Sequence, residues 1–307
     1  MKNLRQTIRT ALAVTFITAP LVLSMSHAAQ AGERSVVRTG VNGRTVNRNA
    51  VRKLNNGTYT AETTRVGANG NVSTRDTSAT VDQETGTYTR NSTNTAANGA
   101  SSNVQATVQK TDDGYTRNVV RTGANGKTAT TSSEMVKTEN GRTINATYAG
   151  PNGGTASRTT DVERTDTGST RSTNITTGSG KTITSNTTVT KTANGTTSST
   201  QVTGPNGQTL TREGTTSYDA DTKTLTRSAT TTGPNGNSST FNATTIRTED
   251  GYERNATRSG PNGGSVTTNT VASYDPATHT ATRNTTATNA NGQTTSSSTT
   301  ATYSPNP

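Results

Sequence analysis

Downstream of Gly180, apolar and polar residues alternate. Lys181, Ile183, Ser185, Thr187 and Val189 fall on one side, and Thr182, Thr184, Asn186 and Thr188 on the other. Alternation with period two is the signature of a β-strand with one apolar face. The same parity holds along the whole chain when positions are counted from ten regularly placed glycines. Three residues after such a glycine stand Val46, Ala129, Ala156, Ile183, Leu210 and Val266. Nine residues after it stand Ala79, Val108, Met135, Val162, Val189 and Ala272. One face is therefore mildly apolar and the other mostly Thr, Ser and Asn. Thr is β-branched and suits a pleated surface.

The ten glycines are Gly43, Gly70, Gly99, Gly126, Gly153, Gly180, Gly207, Gly236, Gly263 and Gly292, each preceded by Asn or, once, by Ser. Their spacing is 27 residues, or 29 in three intervals. A fixed period in this range marks a repeat architecture. The fullest form of this major turn is Gly-Pro-Asn-Gly, as at Gly150-Pro151-Asn152-Gly153. A minor turn lies midway, at Asn56-Gly57, Thr85-Gly86, Asp113-Gly114, Asn140-Gly141, Thr167-Gly168, Asn194-Gly195 and Asp250-Gly251. It is longer at Tyr218-Asp219-Ala220-Asp221 and Tyr274-Asp275-Pro276. These dipeptides suit turns because Gly, Asn and Asp accept positive φ. Each unit reads as strand A, minor turn, strand B, major turn. The extra residues come in pairs, so every side chain keeps its face.

Strand B carries a row of cations. Nine residues before the major glycine stand Arg34, Arg90, Arg117, Arg171, Arg227, Arg254 and Arg283; Ala61, Ile144 and Ser198 fill the other three copies. On the same face, four residues further on, stand Arg38, Arg65, Arg121 and Arg258. If units stack in register these guanidiniums form a basic stripe, a candidate anion site or a solvated, aggregation-blocking surface. Arg34 to Gly43 closely matches Arg117 to Gly126, so the array opens on a strand B. It closes on a strand A, where Tyr303-Ser304-Pro305 echoes Tyr274-Asp275-Pro276. A second chain placed head to tail would continue the order, so the expectation is that the ends serve as joining edges for self-assembly.

Composition then narrows the class. Only 25% of residues are hydrophobic and 3% aromatic, with no Trp and no Cys; beyond the first 25 positions Phe241 is the only Phe and Met135 the only Met. A core of packed Leu, Ile and Phe cannot form. Low hydrophobicity ordinarily means disorder, but a disordered tract has no reason to keep turn spacing and parity. Residues 1–31 read as a signal peptide: Lys2, Arg5 and Arg9 precede an apolar run from Ala11 to Met25, and Ala29-Gln30-Ala31 fits a cleavage site. That run is short for a membrane span of about 20 residues. Residues 32–307 form a single β-repeat array. Loss of Lys2, Arg5 and Arg9 lowers the formal charge from +11 to +8. The remaining positive bias favours anionic polysaccharide, lipopolysaccharide or extracellular DNA.

The expected fold is all-β, about ten two-strand units of 27–29 residues, arranged as a β-solenoid or a long antiparallel meander. A solenoid of ten coils would be a rod about 50 Å long; a meander of twenty strands would be about 95 Å wide and could curl into a shell. The period and polarity resemble curlin-type matrix fibre proteins, without their Ser-Gln-Asn-Gln spacing. Tyr218-Asp219 and Tyr274-Asp275 resemble the YD repeats of Rhs-type shells, in two copies and with shorter units there. Catalytic chemistry is sparse. His279 is the only His beyond position 31, and Asp112, Asp113, Asp219, Asp221, Glu249 and Asp250 sit in turns. Calcium at Asp219 and Asp221 has no supporting EF-hand or nonapeptide motif. Tyr59, Tyr88, Tyr115 and Tyr252 flank minor turns and read as packing. The expectation is a secreted, extracellular or surface structural protein, neither enzyme nor cofactor carrier, that forms fibre or matrix by self-assembly. Its alternative is a binding surface, for ice through the Thr face or for anionic glycan or DNA through the Arg stripe. The periplasm is a further candidate compartment.

Overall fold

The computed structural model describes residues 32–40, 43–55 and 57–305; the signal-peptide reading of residues 1–31 lies outside them. The described chain is one sheet of twenty strands, from β1 (Gly32–Thr39) and β2 (Thr45–Asn55) to β19 (Thr280–Asn289) and β20 (Thr294–Pro305). Odd-numbered strands are the B strands of the repeat and even-numbered strands the A strands. Each pairs antiparallel with its sequence neighbours. The solenoid expectation is thereby corrected. Coils of a solenoid stack parallel, whereas hairpin turns of a few residues can join only antiparallel strands. The meander holds, and it closes: β1 pairs with β20 from Gly32↔Pro305 to Thr39↔Ser298. The complementarity of the two array ends is satisfied within one chain, and a closed barrel has no free sheet edge.

The register fixes the barrel's proportions. At each minor hairpin, residue +k from one major glycine faces residue −k from the next, as in Val108↔Arg117. At each major hairpin the pairing steps by two residues, as in Arg117↔Ser133 and Arg121↔Ala129. At the seam Tyr303 faces Arg34, one further step of two. Ten major hairpins and the seam thus accumulate a stagger of 22 residues around the ring. With strands about 4.8 Å apart and a rise of about 3.4 Å per residue, that gives a tilt of about 38° and a backbone diameter of about 40 Å. Strands of nine to eleven residues then make a wall roughly 25–30 Å tall.

All major turns gather at one rim and all minor turns at the other. In the major turn at Gly150, the Gly153 N–H donates to the Gly150 carbonyl (3.1 Å) and the Gly150 N–H to the Gly154 carbonyl (2.7 Å). This is a three-residue loop: a tight turn with Pro151 at its second position, then Gly153 at φ +80°. Minor turns behave differently. In five of them the glycine is not the positive-φ residue but the first residue of the following strand. A Cβ at Gly168, which opens β11 (Gly168–Thr177), would lie 1.9 Å from the Val189 carbonyl oxygen on β12 (Thr182–Thr192). Close backbone approach, rather than turn geometry, requires glycine there. The three 29-residue units place their extra pair in the minor turn, outside the strands. There Asp82, Asp219 and Asp275 cap the loop: the Asp219 carboxylate accepts from the N–H groups of Asp221 (2.9 Å) and Thr222 (3.2 Å). Lys223 and His279 take φ +52° and +48° in two of these loops.

Every buried side chain lies on the parity of Ala50, Val119, Ile144, Thr160 and Ile183, while the opposite parity is exposed or half-exposed. Side chains converge on the concave face of a closed cylinder and diverge on its convex one, so the first parity faces inward. Most inward positions are half-buried rather than buried, and all strand contacts run between neighbours around the wall. Among the described residues the wall is one layer thick around an open lumen. Closed sheets of sixteen to eighteen strands already enclose an aqueous channel.

Candidate anion-binding lumen

The seven stripe arginines, Arg34, Arg90, Arg117, Arg171, Arg227, Arg254 and Arg283, all face inward. They occupy equivalent repeat positions, so they form a ring at one height rather than a stripe along a rod. Arg38, Arg65, Arg121 and Arg258 make a second ring nearer the major-turn rim. The sequence reading missed the arginines of the A strands, Arg48, Arg52, Arg75, Arg158, Arg164, Arg212 and Arg247, and also Arg142 on a B strand. Register places them on the same face. Their signal was available: each has the inward parity when counted from its major glycine.

In all, nineteen arginines and Lys110, Lys137 and Lys191 point inward from strands. The eleven strand carboxylates, Glu33, Glu62, Asp76, Asp82, Glu134, Asp161, Glu163, Glu213, Asp219, Glu253 and Asp275, all have the outward parity. The wall separates charge: cations inside, with Lys53 on β2 the one outward exception, and carboxylates outside. The cations feel one another. Burial holds the Arg117 guanidinium below its ordinary pKa, with Arg121 adding to the effect. Burial and then Arg158 and Arg142 do the same to Arg171, and burial, Arg90 and Arg48 to Arg75. Arg158 is 4% exposed, and the Arg142 Nε is buried without a hydrogen-bond partner.

Aromatic and small side chains fill the spaces between guanidiniums. All eight tyrosines and Phe241 face inward. Arg258 and Arg254 lie 5.0 and 5.8 Å from the Phe241 ring centroid, a cation–π arrangement. Tyr59, Tyr88, Tyr115 and Tyr252 thus pack on the lumen wall beside the minor turns. Outside, hydrogen bonds join strands. Ser35 donates to Asn49 (2.9 Å), Ser172 to Asn186 (3.0 Å), and Asn269 to Asn255 (2.9 Å). The outward Thr face curves around the barrel and is broken by carboxylates, unlike a flat Thr array. The outer surface is mostly Thr, Ser, Asn and carboxylate, with Val37, Val51, Val72, Ile246 and Val271 exposed singly among them rather than as the continuous apolar band of a lipid-facing barrel.

The rims differ as well. The ten major turns contain no carboxylate and carry Arg44, Lys127 and Lys181; the minor turns carry Glu84, Asp112, Asp113, Glu139, Asp166, Asp221, Glu249 and Asp250, with Lys223. Asp219 is engaged as a turn cap. Among the described residues, no three His, Cys, Asp or Glu side chains gather in a way that could hold a metal ion. The Tyr274 hydroxyl lies 3.3 Å from Nδ1 of His279 in an exposed turn. Among the described residues, no helix is long and apolar enough to cross a membrane.

These features define a closed, all-β repeat barrel with a cationic interior. The chain matches no protein-family model, no curated protein and no solved structure.

Proposed function

We propose that the protein is an exported, non-enzymatic binding ring whose lumen takes up a stretch of linear polyanion: anionic polysaccharide, lipopolysaccharide or extracellular DNA. One observation carries this reading: every strand cation except Lys53 faces inward, and every strand carboxylate outward. Guanidiniums crowded on a concave surface repel one another, and a polyanion relieves that repulsion while releasing its own counterions. A closed ring also has no sheet edge with which to extend a fibre, so a structural role in a matrix would come from holding polyanionic strands rather than from joining strand ends.

The test is fluorescence anisotropy of a labelled thirty-nucleotide dT strand and of heparin, titrated with the processed protein across a salt series. Affinity falls steeply with salt. The triple variant Arg117→Gln, Arg171→Gln, Arg254→Gln binds more weakly, and its slope is shallower by about 0.7 for each single-strand phosphate it no longer neutralises. Equal binding and equal slope for wild type and variant would refute the lumen arginines as the site.

A further inference from the structure

The barrel is charged unequally along its axis as well as across its wall, and this bears on how a polyanion reaches the lumen. The inference rests on the binding reading above. Repeats alternate two kinds of turn, and an antiparallel meander sends every turn of one kind to one end. The two ends therefore differ in chemistry. At the major-turn rim the loops are Gly, Pro, Asn, Ala, Ser, Gln and Val41, with Arg44, Lys127 and Lys181, and no carboxylate. Lys127 Nζ donates to the Asn152 side chain of the next major turn (2.8 Å), and Arg44 to that of Asn69 (3.3 Å), so two of these cations are held in the plane of the rim. Just inside lie two bands of guanidinium five residues from the major glycines, Arg121 and Arg258 on B strands and Arg158 and Arg212 on A strands among them.

The minor-turn rim is the reverse in its loops, although Lys110, Lys137, Lys191, Arg142, Arg164 and Arg247 point inward from the strand ends beside it. Its loops carry eight carboxylates, and the capping carboxylates of Asp82, Asp219 and Asp275 are held below their ordinary pKa by turn hydrogen bonds, chiefly from Thr85, Thr222 and Thr278. They remain charged at neutral pH. A chain of phosphates or uronates approaching this end, or the outer wall, meets negative charge; approaching the major-turn end, it meets cations that continue into the lumen.

We propose that the major-turn rim is the mouth of the barrel: linear polyanions enter the lumen there, and the carboxylate-bearing minor-turn rim and outer wall turn them away. The ring then has a direction, and bound strands are threaded from one side.

The chain lacks cysteine, so a single introduced thiol is labelled uniquely. Ser179→Cys places it in a major turn and Ala193→Cys in a minor turn, at neutral positions. Each is coupled to biotin maleimide and capped with streptavidin, and association of the labelled dT strand and of inorganic polyphosphate is followed by stopped flow at low salt. Capping through Ser179→Cys slows association at least about tenfold, the range that electrostatic focusing supplies, while capping through Ala193→Cys changes it less than about twofold. In the uncapped protein, the combination Arg44→Glu, Lys127→Glu and Lys181→Glu slows association in the same direction. Equal slowing by both caps, or greater slowing by the minor-turn cap, would overturn the mouth assignment while leaving lumen binding intact. If neither cap matters, the polyanion binds outside the lumen, and if the uncapped protein shows no salt-dependent binding, the binding reading itself fails.

Discussion

Replacing Gly168 by alanine tests the sheet at one of its tightest approaches. The added Cβ would lie 1.9 Å from the Val189 carbonyl oxygen, 2.9 Å from its carbon and 3.1 Å from the Thr190 Cα. All three are backbone atoms of β12 and cannot swing aside as a side chain would. Relief requires β11 and β12 to part by more than an ångström, which breaks the bond from the Lys191 N–H to the Thr167 carbonyl (2.8 Å). Losing that bond costs about 0.5–1.5 kcal/mol, and forcing extra volume into a packed space about 1–3 kcal/mol. We expect a net loss of about 2–4 kcal/mol. At about 2–4 °C per kcal/mol for a chain of this size, the melting temperature falls by about 4–16 °C. Two further substitutions calibrate the effect. Gly153→Ala meets open space but sits at φ +80°, so it costs about 1 kcal/mol. Gly154→Ala meets open space without that φ and is neutral or slightly stabilising, within about 0.5 kcal/mol. Thermal unfolding followed by circular dichroism ranks the three. If Gly168→Ala is no worse than Gly153→Ala, the close approach of neighbouring strands at the minor turns is refuted.

Other outcomes follow from the turns and the lumen. Lys223→Gly and His279→Gly each relieve a left-handed residue and raise stability by about 0.5–1 kcal/mol in urea unfolding; destabilisation would contradict the loop geometry. The Asp275 carboxyl is held below its ordinary pKa by the Thr278 hydroxyl and the Ala277 N–H. Its folded value lies below the unfolded one, so its contribution is complete above about pH 4 and is lost as pH falls through the folded value. Asp275→Asn therefore loses less stability than wild type as the pH is lowered through that window, and identical acid branches would refute the cap. Burial and neighbouring cations depress Arg117 and Arg171, so a bound polyanion steadies the fold: heparin at about 100 times its dissociation constant raises stability by about 2.7 kcal/mol. The rise shrinks in Arg117→Gln, Arg171→Gln, and an unchanged rise would place the anion elsewhere.

Much of this architecture is legible in the sequence because the repeat is strict. Turn glycines locate the hairpins, and the shared parity of Val46, Ile183 and Val189 separates two faces before any pairing is known. The same parity places Arg117 and Arg171 beside the apolar residues. Three features are not legible. Parity does not say which face is concave; closure decides it, and closure depends on the pairing of Arg34 with Tyr303, nearly the whole chain apart. The separation of carboxylates is written in the parity of Glu62, Asp161 and Glu213, but it acquires meaning only once one face becomes an interior. Gly168 reads as a turn residue because Thr-Gly suits a turn, whereas its requirement comes from a strand whose nearest atoms belong to a residue more than twenty positions later. Solenoid and meander share period and parity, so only the direction of pairing separates them.

The seam between first and last strands tests the closed ring most directly. Val37 faces Thr300 there, directly opposed residues in antiparallel strands have Cβ atoms about 4.5–5.5 Å apart, and the chain has no cysteine of its own. The double variant Val37→Cys, Thr300→Cys, oxidised in dilute solution, is predicted to give one intramolecular disulfide in a monomer, shown by mass spectrometry of the linked peptides. Reduced monomer, or disulfides found only between chains, would contradict the barrel.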